Sequence, residues 1–186
     1  MRKDFGANAL SFPQAVYILG TYNEDGTPNA MNAGWGGFVE MDKIALCLSP
    51  HKTTDNILAR KEFTISFGTE ATVLGCDYVG LVSGNDKPDK LAVAGLTAEK
   101  SENIDAPLFK ELPMALECVL DSYDEASMLM TAKVLHVVAD ESILDEEGKI
   151  EADKFAPIIF DPCKNVYRTI GPAIANAFAD GMKLEK

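Results

Sequence analysis

At 186 residues, 47% hydrophobic and 25% charged, the chain has the composition of an ordinary globular protein, and its length predicts a single domain spanning 1–186. A formal net charge of -12 repels nucleic-acid phosphates and anionic lipid over most of the surface, so neither is expected as a partner, and a phosphate-bearing ligand needs a local basic pocket. Cys47, Cys76, Cys118 and Cys163 form no CxxC pair, no signal-like segment opens the chain and no apolar run reaches membrane-span length, which predicts reduced thiols in a cytoplasmic protein.

Along the chain, Ala15 to Tyr22 is rich in β-branched and aromatic residues and runs into the turn Asn23-Glu24-Asp25-Gly26, predicting a strand and a hairpin partner returning from Pro28. After the glycine-rich Ala33-Gly34-Trp35-Gly36-Gly37, Lys43 to Ser49 alternates, with Ile44, Leu46 and Leu48 on one face. Lys52 to Asn56 then supplies hydroxyl and carboxylate side chains ahead of Ile57-Leu58, the chemistry of a helix start, and a short helix is expected through Arg60. Glu62 to Phe67 resumes a strand. Cys76 to Val82 and Asp89 to Ala94 read as short helices around the loop Ser83-Gly84-Asn85-Asp86, with Gly95 ending the second.

Met114 to Tyr123 and Met128 to Ala139 predict a long antiparallel pair joined at Asp124-Glu125-Ala126, and Asp145 to Gly148 predicts a later turn. Asn165 to Ile170 predicts a last strand, and Pro172 is placed to open a helix carrying Ile174 and Phe178 four residues apart. Many strands, hairpin turns and few helices point to a mainly β fold, an antiparallel barrel with helical insertions.

Several chemistries are excluded by what the motifs lack. The glycines from Gly34 to Gly37 do not complete GxGxxG, there is no Walker A lysine loop, and Gly80-Leu81-Val82-Ser83-Gly84 has the wrong spacing for a GxSxG elbow. His51 and His136 are the two imidazoles, and neither stands at metal-ligand spacing from a cysteine, so no metal site is expected. His136, inside a strand pattern beside Val134 and Val138, reads as a packed structural histidine.

Pro28-Asn29-Ala30-Met31-Asn32-Ala33-Gly34-Trp35, followed by Ser49-Pro50-His51-Lys52-Thr53-Thr54, resembles the flavin reductase-like, flavoredoxin-type family of FMN-binding split β-barrels. Tyr78 to Asp86 with Lys90, Gly95-Leu96-Thr97, Pro113 to Cys118 and Tyr167 to Gly171 resemble family segments in the same order, and the set covers most of residues 13–171. The resemblance implies a homodimer that binds FMN near the subunit interface and passes electrons through it, as an NAD(P)H-dependent flavin reductase or a flavoredoxin-like electron carrier, with NADH or NADPH as donor. A flavin-binding carrier or sensing module without nicotinamide turnover is the alternative. It further implies a ring site drawn from Asn29, Ala30, Met31, Asn32, Ala33 and Trp35, a phosphate site from Ser49, Lys52, Thr53 and Thr54, and a second polar patch at Ser83 and Lys90. No catalytic side chain is expected, because the flavin carries the chemistry. One departure is Ser127, where many relatives have histidine.

The residue types are compatible with these roles and with plainer ones. Asn29 and Asn32 match the mixed donor and acceptor edge of a flavin, and equally the needs of turns and strand edges. Trp35 offers a plane for stacking or a filler for the barrel. Lys52, Thr53 and Thr54 suit a phosphate dianion or an ordinary helix cap. Lys90 stabilises negative charge or is a lone surface lysine, and His51 lies beside the phosphate motif or in a solvated loop.

Overall fold

The computed structural model describes residues 1–185. In chain order the strands and helices are β1 (Gln14–Ala15), β2 (Tyr17–Tyr22), β3 (Pro28–Ala33), β4 (Gly36–Glu40), β5 (Lys43–Cys47), α1 (Lys52–Arg60), β6 (Glu62–Phe67), α2 (Val73–Leu81), α3 (Lys90–Ala94), β7 (Ala98–Lys100), β8 (Pro107–Phe109), β9 (Met114–Asp124), β10 (Leu129–Ala139), α4 (Ala152–Phe155), β11 (Ile158–Asp161) and β12 (Val166–Thr169).

Seven strands form one antiparallel sheet in the order β3-β2-β6-β9-β10-β5-β4. It curls around a core that includes Leu19 and Met31 from one end and Ile44 and Leu46 near the other, yet the end strands β3 and β4 do not pair. The fold is therefore a split β-barrel. The split lies between two strands consecutive in sequence, joined only by Gly34 and Trp35.

β2 explains why its sequence lacks a polar face. Tyr17 and Leu19 point into the barrel core, while Val16 and Ile18 enter a second core with Cys76, Val79 and Leu91 from α2 and α3. A strand buried on both faces reads as a continuous apolar run. β3 is divided in the same way, with Met31 and Ala33 in the barrel and Ala30 in the second core, so the α2–α3 layer covers one outer face of the barrel. The eleven-residue strands β9 and β10 form the expected long hairpin, with register shifts at Thr131/Ala132 and Val134/His136.

Three sequence expectations differ from the fold. The helix expected after Pro172 is absent: residues 171–176 have no regular structure, and Asp180–Glu185 is a 3-10 turn. Ile174 and Phe178 had the right spacing but are fully exposed, and a short amphipathic helix with no surface to bury its apolar face is not stable alone. His136 is exposed rather than packed, because the register shift beside it breaks the alternation that buries part of Val134 and Val138. Lys52 to Asn56 lies within α1 rather than ahead of it. Among the described residues, no helix is long and apolar enough to cross a membrane.

Candidate functional site

A cleft of about 430 Å³ opens at the split in the barrel. One wall is the end of β3 with Met31, Asn32, Ala33, Gly34 and Trp35; the floor is Ser49 and the start of α1; the opposite wall is the end of α2 and the loop to Gly84, with Lys90 behind it. Segments read from sequence as separate flavin elements are therefore gathered by the fold. Met31, Asn32, Ala33, Trp35, Ser49, Lys52, Thr53, Ser83 and Lys90 all line this cleft. A second cleft of about 580 Å³ adjoins it, and Lys52, Gly84 and Lys90 line both, with Asn29 on the second.

Besides Asn29, which lines the second cleft, two expected ligand residues line neither. The Ala30 side chain is fully buried in the second core, because alternation along β3 turns it away from Met31 and Ala33. Thr54 is buried on α1 and donates its hydroxyl to the Ser49 carbonyl at 2.8 Å, fixing the loop that leads into the helix. Trp35 is 42% exposed, so it forms a cleft wall rather than filling the barrel.

The start of α1 is held in place by a buried polar chain. Asn29 Nδ2 donates to Thr53 Oγ1 at 2.7 Å, Asn56 Nδ2 donates to Thr21 Oγ1 at 3.0 Å and to Asn23 Oδ1 at 2.9 Å, and Arg60 Nη2 donates to the Asn23 carbonyl at 2.6 Å. These bonds tie the β2–β3 turn to the helix. Among the described residues no side chain caps α1: its N-cap is His51, whose Nε2 instead meets Ser49 Oγ at 2.9 Å. The first N–H groups of the helix are thus left to the cleft, where the positive end of the helix dipole favours an anion.

Lys90 strengthens that preference. It is only 4% exposed, its Nζ donates to the Val82 carbonyl at 3.3 Å, and burial alone pulls its pKa from 10.5 down to about 8. Among the described residues no carboxylate offsets the desolvation of this ammonium, and a buried ammonium so placed is costly unless an anion joins it. Asn29 Oδ1 is likewise buried without a partner among the described residues. A Cβ on Gly84 would stand 2.6 Å from that oxygen and 3.7 Å from Lys90 Cε, so only glycine lets this loop pass so close. The partners of Asn29 are hydroxyls, which donate or accept equally, so its amide can turn over and present NH₂ to an anion.

Asn32 is held differently. Its Nδ2 donates to the Cys76 carbonyl at 3.0 Å and lies 3.5 Å from Tyr167 Oη, which itself donates to Asp77 Oδ1 at 2.7 Å. Burial, then the Asp77 carboxylate, push the Tyr167 phenol up to about 12. α2 passes so close that a Cβ on Gly80 would stand 2.9 Å from Asn32 Cβ. The Tyr167–Asp77 contact joins residues 90 apart, and neither was singled out from sequence as a site residue, because no local spacing signals such a contact.

The site thus pairs an anion-receptive end with a slot walled by Trp35 and the backbone of the split. Such a donor set fits a flat heterocycle bearing a phosphate. Among the described residues, no three His, Cys, Asp or Glu side chains gather as metal ligands.

Comparison with known proteins finds a family match and relatives of the same fold. Residues 9–162 match the family model described as flavin reductase like domain. The flavoredoxin of Desulfovibrio vulgaris (Miyazaki F) is 36% identical, with a TM-score of 0.92 over 97% of this chain and 100% of that one. The flavoredoxin of Methanosarcina acetivorans is 25% identical, with a TM-score of 0.87 over 99% of this chain and 100% of that one. An FMN-binding domain of a flavin reductases-like enzyme from Shewanella baltica OS155 shares the fold at 21% identity, with a TM-score of 0.77 over 87% of this chain and 89% of that one.

Proposed function

The chain belongs to the flavin reductase-like family, and from that membership we propose that it binds FMN in the cleft at the split of the barrel and acts as a flavin-dependent oxidoreductase fed by NADH or NADPH. The observation that carries the reading is the meeting of an uncapped helix start, Lys52 and the uncompensated Lys90 at one end of a slot, in a chain whose net charge is -12. Bound there, FMN supplies the capacity to accept a hydride and release electrons to an acceptor. Lys52 and the free N–H groups of α1 hold the phosphate, with Ser49 beside them. Lys90 neutralises negative charge where the two clefts meet. Trp35 forms the outer wall of the ring slot, and Asn32 offers its amide to the ring. The residues bind, orient and screen; none needs to move a proton. A terminal phosphate suits this end of the cleft better than the bridging diphosphate of FAD, so FMN is preferred.

Exposed Trp35, Phe38, Val39 and Met41 lie together along β4 and its flanks, on an edge strand of the barrel. A second copy of the chain covers this edge, making the protein a homodimer; light scattering at micromolar concentration that returned a monomer mass would remove this part of the reading.

The test of function is an anaerobic titration of the FMN-loaded protein with NADH and with NADPH. Loss of the visible flavin absorption within seconds of mixing supports the oxidoreductase reading. The flavoredoxin matches favour a second reading, an electron carrier reduced by another protein, for which FMN binds but neither nucleotide bleaches it. Failure to bind FMN refutes both.

A further inference from the structure

The geometry points to Asn32 as a specificity-determining residue that recognises the single N–H of the oxidised flavin ring, N3–H, with Tyr167 and Asp77 as its positioning residues; this rests on the flavin reading above. The starting point is the direction of one amide. The Cys76 carbonyl can only accept, so the Asn32 group that meets it at 3.0 Å must be Nδ2. Tyr167 Oη, 3.5 Å from the same nitrogen, spends its own proton on Asp77 Oδ1 at 2.7 Å and so turns a lone pair toward Asn32. Asp77 therefore fixes the direction of the phenol, and the phenol reinforces the direction of the amide.

Rotation of the amide by half a turn would set Oδ1 against the Cys76 carbonyl and leave two acceptors facing each other. The close pass of α2 at Gly80 leaves the side chain little room to escape by another rotamer. Asn29, held by hydroxyls, has no such constraint. The two asparagines of the motif are thus unlike: one adapts, and the other is set. Asn32 lines the cleft with both hydrogens of its amide directed at the protein side, and its oxygen has no partner among the described residues.

An acceptor in that place selects for a donor. Around its polar edge, the oxidised isoalloxazine carries N1, O2, O4 and N5 as acceptors and N3–H as its only donor. Asn32 Oδ1 is complementary to N3–H and to no other polar atom of the ring. N3–H is retained on two-electron reduction, so this contact favours both oxidation states alike and sets affinity and ring orientation rather than potential.

The test uses the full chain and two ligands, FMN and its N3-methyl derivative, with affinities read by quenching of flavin fluorescence. In the wild type, the methyl derivative should bind at least about tenfold more weakly, the loss of roughly one hydrogen bond. In Asn32→Ala the two ligands should bind within about twofold of each other. Tyr167→Phe, which keeps the Cys76 contact, should retain part of the discrimination, with a ratio between those of the wild type and Asn32→Ala and with the FMN midpoint potential unchanged. A general loss of structure would weaken both ligands together and leave their ratio intact. Equal binding of the two ligands by the wild type, or an undiminished ratio in Asn32→Ala, overturns the inference while leaving flavin binding in place. Absence of FMN binding in the wild type overturns the flavin reading itself, and this inference with it.

Discussion

Lys90 makes opposite demands on the free and the loaded protein, and pH separates them. In the folded apoprotein burial lowers its pKa from 10.5 to about 8. Below pH 8 the lysine is protonated in both folded and unfolded chains, and the folded state bears the full cost of the buried charge, at most about 3.4 kcal/mol at about 1.36 kcal/mol per pH unit. Between about pH 8 and 10.5 the unfolded chain binds the extra proton, so apoprotein stability rises with pH through that window. Binding of FMN has the reverse sign. The phosphate favours the ammonium, so FMN affinity is level between about pH 7 and 8, where the phosphate is a dianion, and falls above that range by up to about tenfold per pH unit. Lys90→Met removes both effects. At pH 7 it raises the melting temperature of the apoprotein by several degrees and weakens FMN about ten- to a hundredfold, the loss of one charge-assisted hydrogen bond, while riboflavin is little affected. Isothermal titration from pH 7 to 9.5 on both proteins makes the comparison. A level wild-type profile, or a Met variant that keeps the wild-type slope, would refute the argument that this buried ammonium awaits an anion.

Other substitutions probe the remaining parts of the cleft. Lys52→Gln should weaken FMN roughly ten- to a hundredfold and leave riboflavin nearly unchanged, as calorimetry would report; equal losses for both ligands would mean damage to the helix start rather than a lost phosphate contact. Trp35→Ala should weaken FMN by about 0.5 to 1.5 kcal/mol with only a small fall in apoprotein melting temperature, because the indole is 42% exposed; a large melting shift with FMN affinity kept would return Trp35 to the fold.

The β2–β3 and β9–β10 hairpins were legible because strand-like runs flank turn residues, and Asn23 to Gly26 form such a turn. β11, four residues long, was not legible: it is a strand only because β1, whose Ala15 pairs with Ile159 from 144 positions away, lies on one side of it and β12, returning from a tight turn, lies on the other. The false helix after Pro172 shows the converse, since Ile174 and Phe178 kept helical spacing with no core to receive them. At the site, the order of short segments identified Asn32, Trp35, Ser49, Lys52 and Lys90, and the fold brings them to one cleft. Sequence could not say that Ala30 faces away, since the inward face of β3 depends on which side α2 covers. Nor could it say that Lys90, read as a residue of the second polar patch or as a lone surface lysine, is buried behind Gly84.

Calorimetric titration of the apoprotein with FMN, riboflavin and FAD tests the central claim most directly. One FMN per chain, bound more tightly than either riboflavin or FAD, is the result expected of a cleft that joins a ring slot to the anion-receptive end at Lys52, Lys90 and the start of α1. No heat with FMN, or riboflavin bound as tightly as FMN, would contradict it.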